Sequence, residues 1–313
     1  MSKSALSAPH FHNEDAAFAY VETHLWPHGP VCFHCKGTER VGKMAGKTTR
    51  AGLYKCYACR KPFTVRMGTV FESSHVPLRV WLQIIYLMCS SKKGISTRQI
   101  HRIIGGSLKT AWFLGHRIRE AMSAGSLPAM GGNGGGIEMD ETYFGPRNEI
   151  LKRTKRGKAS HSSQRSVVAL VERGGNSRMF HVERADKKTV LGLLAKHAKQ
   201  DSKLYTDESA LYWQATGFVK DHSVVRHADG IYVRGEAHTN TVEGVFGIFK
   251  RGMRGIYQHC GEQHLHRYLI EFDFRYNNRE RLGADDIIRS EKALLGVIGK
   301  RLTYRTSRGQ STA

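Results

Sequence analysis

The chain is expected to be an α/β protein built on a mixed sheet, with two small modules ahead of it. Three features carry that expectation. From Ile137 onward, short segments of strand character come first and then alternate with helical periodicities, as in a protein whose strands and helices share one sheet. Met130–Gly136 reads MGGNGGG, a glycine tract whose composition marks a flexible linker and a domain boundary. Ahead of it, two CxxC pairs are separated by 20 residues in a polar segment. On this reading residues 1–25 are a polar lead-in and 26–70 a cysteine-bearing module. Residues 71–129 form a helical module, 130–136 the linker, 137–305 the α/β domain and 306–313 a polar tail.

Within the lead-in, Asn13–His24 has the character of a short helix. The cysteine pairs are Cys32-Phe33-His34-Cys35 and Cys56-Tyr57-Ala58-Cys59. A CxxC turn points both sulfurs inward, and two such turns complete a tetrahedral thiolate site of the kind zinc favours, with Zn–S near ~2.3 Å. The expected ligands are therefore Cys32, Cys35, Cys56 and Cys59, a zinc ribbon. Four thiolates leave no open position, so this Zn²⁺ would be structural, and His34 is read as a surface residue. The surrounding Lys36, Arg40, Lys43, Lys47, Arg50, Lys55, Arg60, Lys61 and Arg66 offer either a grip on phosphates or a solvated basic face.

Gly94–Met122 has the layout of a helix-turn-helix. Ser96 is an N-cap with Gln99 completing a capping box, and Ile100, Ile103 and Ile104 make an apolar face. Gly105-Gly106 breaks the helix, and Ser107 caps a second one carrying Ala111, Leu114 and Ile118. In that arrangement Lys109, Thr110, His116, Arg117 and Arg119 would be available to DNA; an ordinary helical hairpin shares the same pattern.

In the second half, strands are expected at Gly136–Tyr143, Ser166–Glu172, Arg178–Glu183, Lys203–Thr206 and Ser223–Val225. Gly174–Asn176 turns the second of these into the third. Helices are expected at Lys187–Lys199, Thr239–Arg251 and Gln263–Asn277. Alternation puts Glu138, Asp140 and Thr142 on one face of the first strand. Asp207 ends the fourth strand. On the helix that follows, Asn240, Glu243, Gly247 and Lys250 share one face, while Val242, Val245, Phe246 and Phe249 line the buried side. Asp140, Asp207 and Glu243 are the residue types that metal-dependent phosphodiester chemistry requires, although any one of them alone would pass for a surface acid. Glu236, Glu271, Glu141 and Glu208 compete for the third place. Glu236 reads as loop, Glu271 falls in a core stripe, and Glu141 and Glu208 point away from their neighbouring aspartates.

The motifs MDETYFG at Met139–Gly145, YTDES at Tyr205–Ser209, HTNTVEGVFGIFKRGMRGIYQH at His238–His259 and HLHRYLIEFDFRYNNR at His264–Arg279 add a further observation. Together with the cysteine knuckles, they make the chain resemble the zinc-ribbon-containing DDE transposases of bacterial insertion sequences. The resemblance runs from the first knuckle to Arg279. It implies an RNase H-like mixed-sheet catalytic core, with Asp140, Asp207 and Glu243 as the acidic triad holding two Mg²⁺ (or Mn²⁺) ions and Lys250 in the signature helix. The implied function is metal-dependent strand cleavage at the ends of an element followed by strand transfer into target DNA. The partners would then be element ends and target DNA, bound by a homodimer or higher assembly. The rival reading is a non-catalytic DNA-binding regulator built from the ribbon and the helix-turn-helix; a nuclease or resolvase on the same core is another.

The bulk chemistry points the same way. The formal charge is +22 over 313 residues, which favours a polyanionic partner. Beyond the ribbon, the residues expected on DNA are Lys109, Arg117, Arg119, Lys152, Arg153, Lys155, Arg156, Arg251 and Arg254, with His259, Arg275 and Arg279 extending the basic surface. The first 25 residues lack an apolar targeting core, and Val80–Cys89 is too short to span a bilayer. A cytoplasmic protein with no membrane partner is therefore expected. Cys89 is read as a buried thiol.

Overall fold

Asn13 opens the first helix by accepting a hydrogen bond from Ala16 N (2.9 Å) in the computed structural model, which describes residues 4–125, 127–132, 135–145, 164–226, 229–230, 233 and 235–303. The chain forms two units, Met1–Ala124 with Asn278–Ala313 and Gly125–Asn277.

In the first unit, α1 (Glu14–Leu25) buries Ala17, Phe18, Val21 and Leu25. The segment expected as a lead-in is thus part of the folded unit. Three short antiparallel strands follow: β1 (Val41–Lys43), β2 (Tyr54–Cys56) and β3 (Pro62–Phe63). Helix α2 (Leu78–Ser90) begins after Pro77, which offers no side-chain cap. Glu14 fills that role from α1, accepting from Leu78 N (2.7 Å) and Arg79 N (3.2 Å). Next come α3 (Thr97–Ile104) and α4 (Leu108–Met122), capped by Ser96 and Ser107 as the sequence indicates. Gly105 and Gly106 join them at φ 68° and 72°, left-handed conformations that glycine adopts without steric cost.

The segment after Asn277 belongs with this unit rather than with the α/β domain, where the sequence had put it up to residue 305. The reason is Arg289 on α8 (Asp286–Leu295). It is nearly buried and donates to Cys89 O (2.7 Å), Asn278 O (2.8 Å) and Ala284 O (3.1 Å), tying α8 to the end of α2. Cys89 is the buried thiol expected.

Arg117 and Arg119 correct the sequence reading. They are 6% and 2% exposed, and His116 is fully buried. The Arg117 guanidinium donates to Val70 O (2.8 Å), Glu72 O (2.8 Å) and Leu302 O (3.1 Å), so it serves as an internal clasp for three backbone carbonyls. Arg117→Met is therefore expected to destabilise this unit by about 3 kcal/mol, because buried acceptors lose charged donors. Denaturant unfolding would show that loss, with the DNA affinity of the folded fraction unchanged; a phosphate contact would give the reverse pattern.

The second unit is a five-stranded mixed sheet in the order β6-β5-β4-β7-β8. Its strands are β4 (Gly136–Phe144), β5 (Arg165–Glu172), β6 (Ser177–Val182), β7 (Lys203–Thr206) and β8 (Asp221–Val224). The first three are antiparallel, and β7 and β8 run parallel to β4. This is the RNase H-like core that the resemblance implies. Interior strand β5 is apolar on both faces. Val167, Ala169 and Val171 pack toward α6 (Asn240–Gly252) and α7 (Leu265–Asn277), against Phe246, Phe249 and Phe272. Val168 and Leu170 pack on the other side, against Val190, Leu191 and Leu194 of α5 (Lys187–His197).

The start of the glycine tract, at Met130 and Gly131, is not the free linker its composition suggests. Met130 N donates to His197 O (2.7 Å) and Gly131 N to Glu172 Oε1 (2.6 Å). At Gly131, with φ 76°, an added Cβ would lie 2.2 Å from Ser202 Oγ. There the glycine permits close approach and fixes the chain.

Candidate active site and metal centre

Each cysteine knuckle places its two sulfurs on a tight turn. The turns end in Lys36 (φ 61°) and Arg60 (φ 62°), left-handed conformations that cost non-glycine residues energy. Cys32 and Cys56 are buried under Tyr54 and Phe63. The four Sγ atoms all lie within 4.8 Å of one another, with Cys32–Cys59 at 3.7 Å and Cys35–Cys56 at 3.6 Å. A tetrahedron with Zn–S of ~2.3 Å has edges of about 3.8 Å, so this donor set fits zinc without rearrangement. His34 Nε2 lies against Pro62 O (3.2 Å), outside the ligand set as expected.

The acidic site is assembled by strand register. β4 and β7 pair with Ile137 against Leu204 and Glu138 against Tyr205. The same register carried two residues further brings Asp140 level with Asp207, on the face toward α6. Glu243 lies in the first turn of α6, exposed, with Thr239 Oγ1 donating to its Oε1 (2.9 Å). Burial pushes the Asp140 carboxyl up to about 7, and the charges of Glu141, Asp207 and Glu243 push in the same direction. The three sequence-predicted acids therefore share one electrostatic environment. Among the described residues, the cysteines are the one group of three or more potential ligands drawn within 4.8 Å. Asp140, Asp207 and Glu243 are not drawn into so tight a group. Their hard oxygen donors match Mg²⁺ or Mn²⁺.

Two residues that the sequence reading left without a role organise this site. Glu141 points to the opposite face and accepts from Tyr212 Oη (2.6 Å), and burial raises its carboxyl. Glu138 is completely buried and gathers donors from two directions. It accepts from Thr241 N (2.7 Å), Thr241 Oγ1 (2.8 Å) and Val242 N (3.0 Å), capping α6 from the sheet. It also accepts from Arg173 Nε (2.8 Å), while the other Arg173 nitrogens donate to Glu236 O (2.6 Å) and His238 O (2.9 Å). His238 Nδ1 approaches Glu138 Oε1 to 3.1 Å without hydrogen-bond alignment. The segment entering α6 is thus locked to β4 two residues from Asp140. The available signal was a glutamate inside an apolar strand, on the same face as Asp140. Glu138→Gln would set an amide N–H₂ against donors and leave Arg173 uncompensated. The expected loss is about 3–5 kcal/mol in urea unfolding, with amide exchange rising first at Thr241 and Val242.

Residues 133–277 match the ISXO2-like transposase domain, and residues 12–62 match the transposase zinc-ribbon domain. The chain thus carries an ISXO2-like transposase domain behind a transposase zinc ribbon. It is also similar to an uncharacterized protein in transposable element ISH50 of Halobacterium salinarum, 27% identical over 267 residues that span 80% of this chain and 86% of that one. The transposase domain ends at the same residue as the second unit, Asn277.

The remaining predicted positions of this protein divide by exposure. Lys109, Arg251 and Arg254 are exposed, and Lys250 is half-buried. Arg275 is buried against Glu271 on α7, which removes both from the surface and excludes Glu271 as a triad member. Lys152, Arg153, Lys155 and Arg156 lie outside the described residues. No described helix is long and apolar enough to cross a membrane.

Proposed function

We propose that this protein is a DDE transposase that cleaves DNA at the ends of its element and transfers the freed 3′-hydroxyl ends into target DNA. The observation that carries this reading is the sharing of one electrostatic environment by Asp140, Asp207 and Glu243 on the transposase core. These three residues would hold the two divalent cations, which when bound activate the attacking oxygen and steady the leaving one. Asp140 is fixed by its strand and by the hydrogen bond that its Oδ1 accepts from Glu141 N (2.8 Å). Asp207 is held at the end of β7, where its Oδ1 accepts from Ser209 N (3.0 Å). Glu138 sets the position of α6, and so of Glu243.

Lys250 lies two turns further along the α6 face that carries Glu243 and serves as a point charge for a phosphate near the cut end. Arg251 and Arg254 extend that phosphate contact, and the basic run at Lys152, Arg153, Lys155 and Arg156 is assigned to DNA by its charge alone. In the other unit Lys109 and the ribbon supply sequence-independent grip. Lys36 and Arg60 occupy backbone conformations where glycine would be less strained, which is consistent with a role for their charge. Joining two ends calls for two active sites, so the DNA complex would contain at least a dimer.

The test is incubation of the full chain with Mg²⁺, a duplex carrying the element's own end and a supercoiled target. The expected products are a strand nicked at the end and a joined species, both abolished by chelation of Mg²⁺. Cleavage without joining would favour a nuclease, and binding without either product would favour the regulator.

A further inference from the structure

Of the large apolar side chains that remain exposed among the described residues, Trp213 stands out, with 75% of its surface open to solvent. A tryptophan displayed in this way offers a broad aromatic face to solvent, with a polar N–H at its edge. It is held by a rigid turn. Tyr212, the preceding residue, is 1% exposed and anchored on Glu141, and Ser209 at the start of the turn is bonded to Asp207. Asp207 of the acidic site and Glu141, on the opposite face of β4 from Asp140, thus hold the segment that presents the indole.

Trp213 borders a cleft of about 560 Å³ that Asp207 also lines. His222, Ser223 and Arg226 stand along it, so an aromatic face, hydrogen-bonding groups and a cation meet beside the acid. His222 Nε2 is engaged by Thr206 Oγ1 at 2.9 Å, which fixes the ring. The Arg226 guanidinium is largely exposed and makes a long 3.8 Å contact with Asp229. Such a combination suits a nucleotide better than a protein surface. An indole stacks on any base, polar groups meet the base edges, and an exposed arginine meets the phosphate. A protein hot spot would instead surround its tryptophan with apolar neighbours and exclude water.

We propose that Trp213 is a stacking platform for an unpaired nucleobase, received in the cleft beside Asp207 at a DNA end. This deepens the transposase reading and rests on it for the location of the DNA. A base taken out of the duplex there would distort the strand next to the acids.

The test uses the full chain and two probes, a blunt duplex and the same duplex with a three-nucleotide 3′ overhang carrying 2-aminopurine. Binding is measured with Ca²⁺ present, so that the neighbouring acids are screened. The wild-type chain is expected to prefer the overhang and to quench its 2-aminopurine. Trp213→Ala should weaken overhang binding about 5- to 100-fold and lose the quench, with blunt-duplex affinity unchanged. Trp213→Phe should keep most of both. Equal overhang preference in wild type and Trp213→Ala would overturn the proposal. So would a Trp213→Ala change in oligomeric state with no change in DNA preference, which would assign the indole to a second copy of the chain. Binding and quenching need no chemistry, so the two readings fail separately. Loss of the preference in Trp213→Ala, with no strand transfer by wild type, would keep the platform and sink the transposase. Strand transfer with an unaltered preference would do the opposite.

Discussion

Asp207→Asn and Asp140→Asn are each expected to reduce end cleavage and strand transfer by at least ~10³-fold while leaving DNA binding nearly unchanged. The loss follows from the shared environment. Asp140 is crowded by Glu141, Asp207 and Glu243, and burial has already pushed its carboxyl up to about 7. Negative charge concentrated in this way is stabilised by cations, and removing one carboxylate removes both a ligand and part of the field that draws the ions in. DNA affinity should hold because the grip comes from basic residues elsewhere on a chain of net charge +22. A second readout guards against misfolding. Relieving repulsion among the acids should raise the melting temperature of Asp140→Asn by a few degrees in the absence of divalent cations, since sites arranged for function are maintained at a cost in stability. Strand transfer at wild-type rates by either variant would remove the acids from the mechanism. Inactivity with a lowered melting temperature would point to a structural role instead.

How much of this was legible in the sequence depended on how far each residue's partners lie along the chain. Local signals read correctly. Ser96 and Ser107 cap their helices, both knuckles close, and the strands β4, β5, β6 and β7 fall within a residue or so of their expected bounds. Asp140 and Asp207 were readable because each ends or interrupts a short apolar strand, but their being level follows from β4 pairing with β7, which alternation cannot supply. Arg117 and Arg119 misled for the same reason. Basic residues on a candidate recognition helix read as DNA contacts, yet the carbonyls that bury Arg117 belong to Val70, Glu72 and Leu302, far away along the chain. Arg289 shows the same effect in reverse, drawing a C-terminal helix into the first unit through Cys89. Glu138 lay in plain view beside Asp140, but an acid that caps a helix from a neighbouring strand has no sequence periodicity to announce it. Trp213 carries no signal either, because exposure at a turn is a property of the folded chain.

Cys56→Ser should unfold the ribbon and abolish zinc binding. The apolar core available there is Cys32, Tyr54, Cys56 and Phe63, with Trp26, Val41, Cys59 and Met67 packed at its margin. So small a cluster, on strands of two or three residues, falls short of the conformational entropy of ordering the segment. The missing stabilisation is metal binding, whose apparent free energy in structural zinc sites is ~10–16 kcal/mol and appears directly as folding free energy. Sulfurs 3.6–3.7 Å apart are already set at zinc's tetrahedral edge, so the cost of arranging them is met by the fold that the metal supports. Metal analysis of the purified chain should therefore give one zinc per chain, and none in Cys56→Ser. Amide exchange should rise across residues 32–63 in that variant and in chelator-treated wild type, while strand β5 stays protected, because its core is formed by β4, β6 and the helices of its own unit. A chelated chain that kept the ribbon's amides protected would mean that the aromatic cluster alone carries the module.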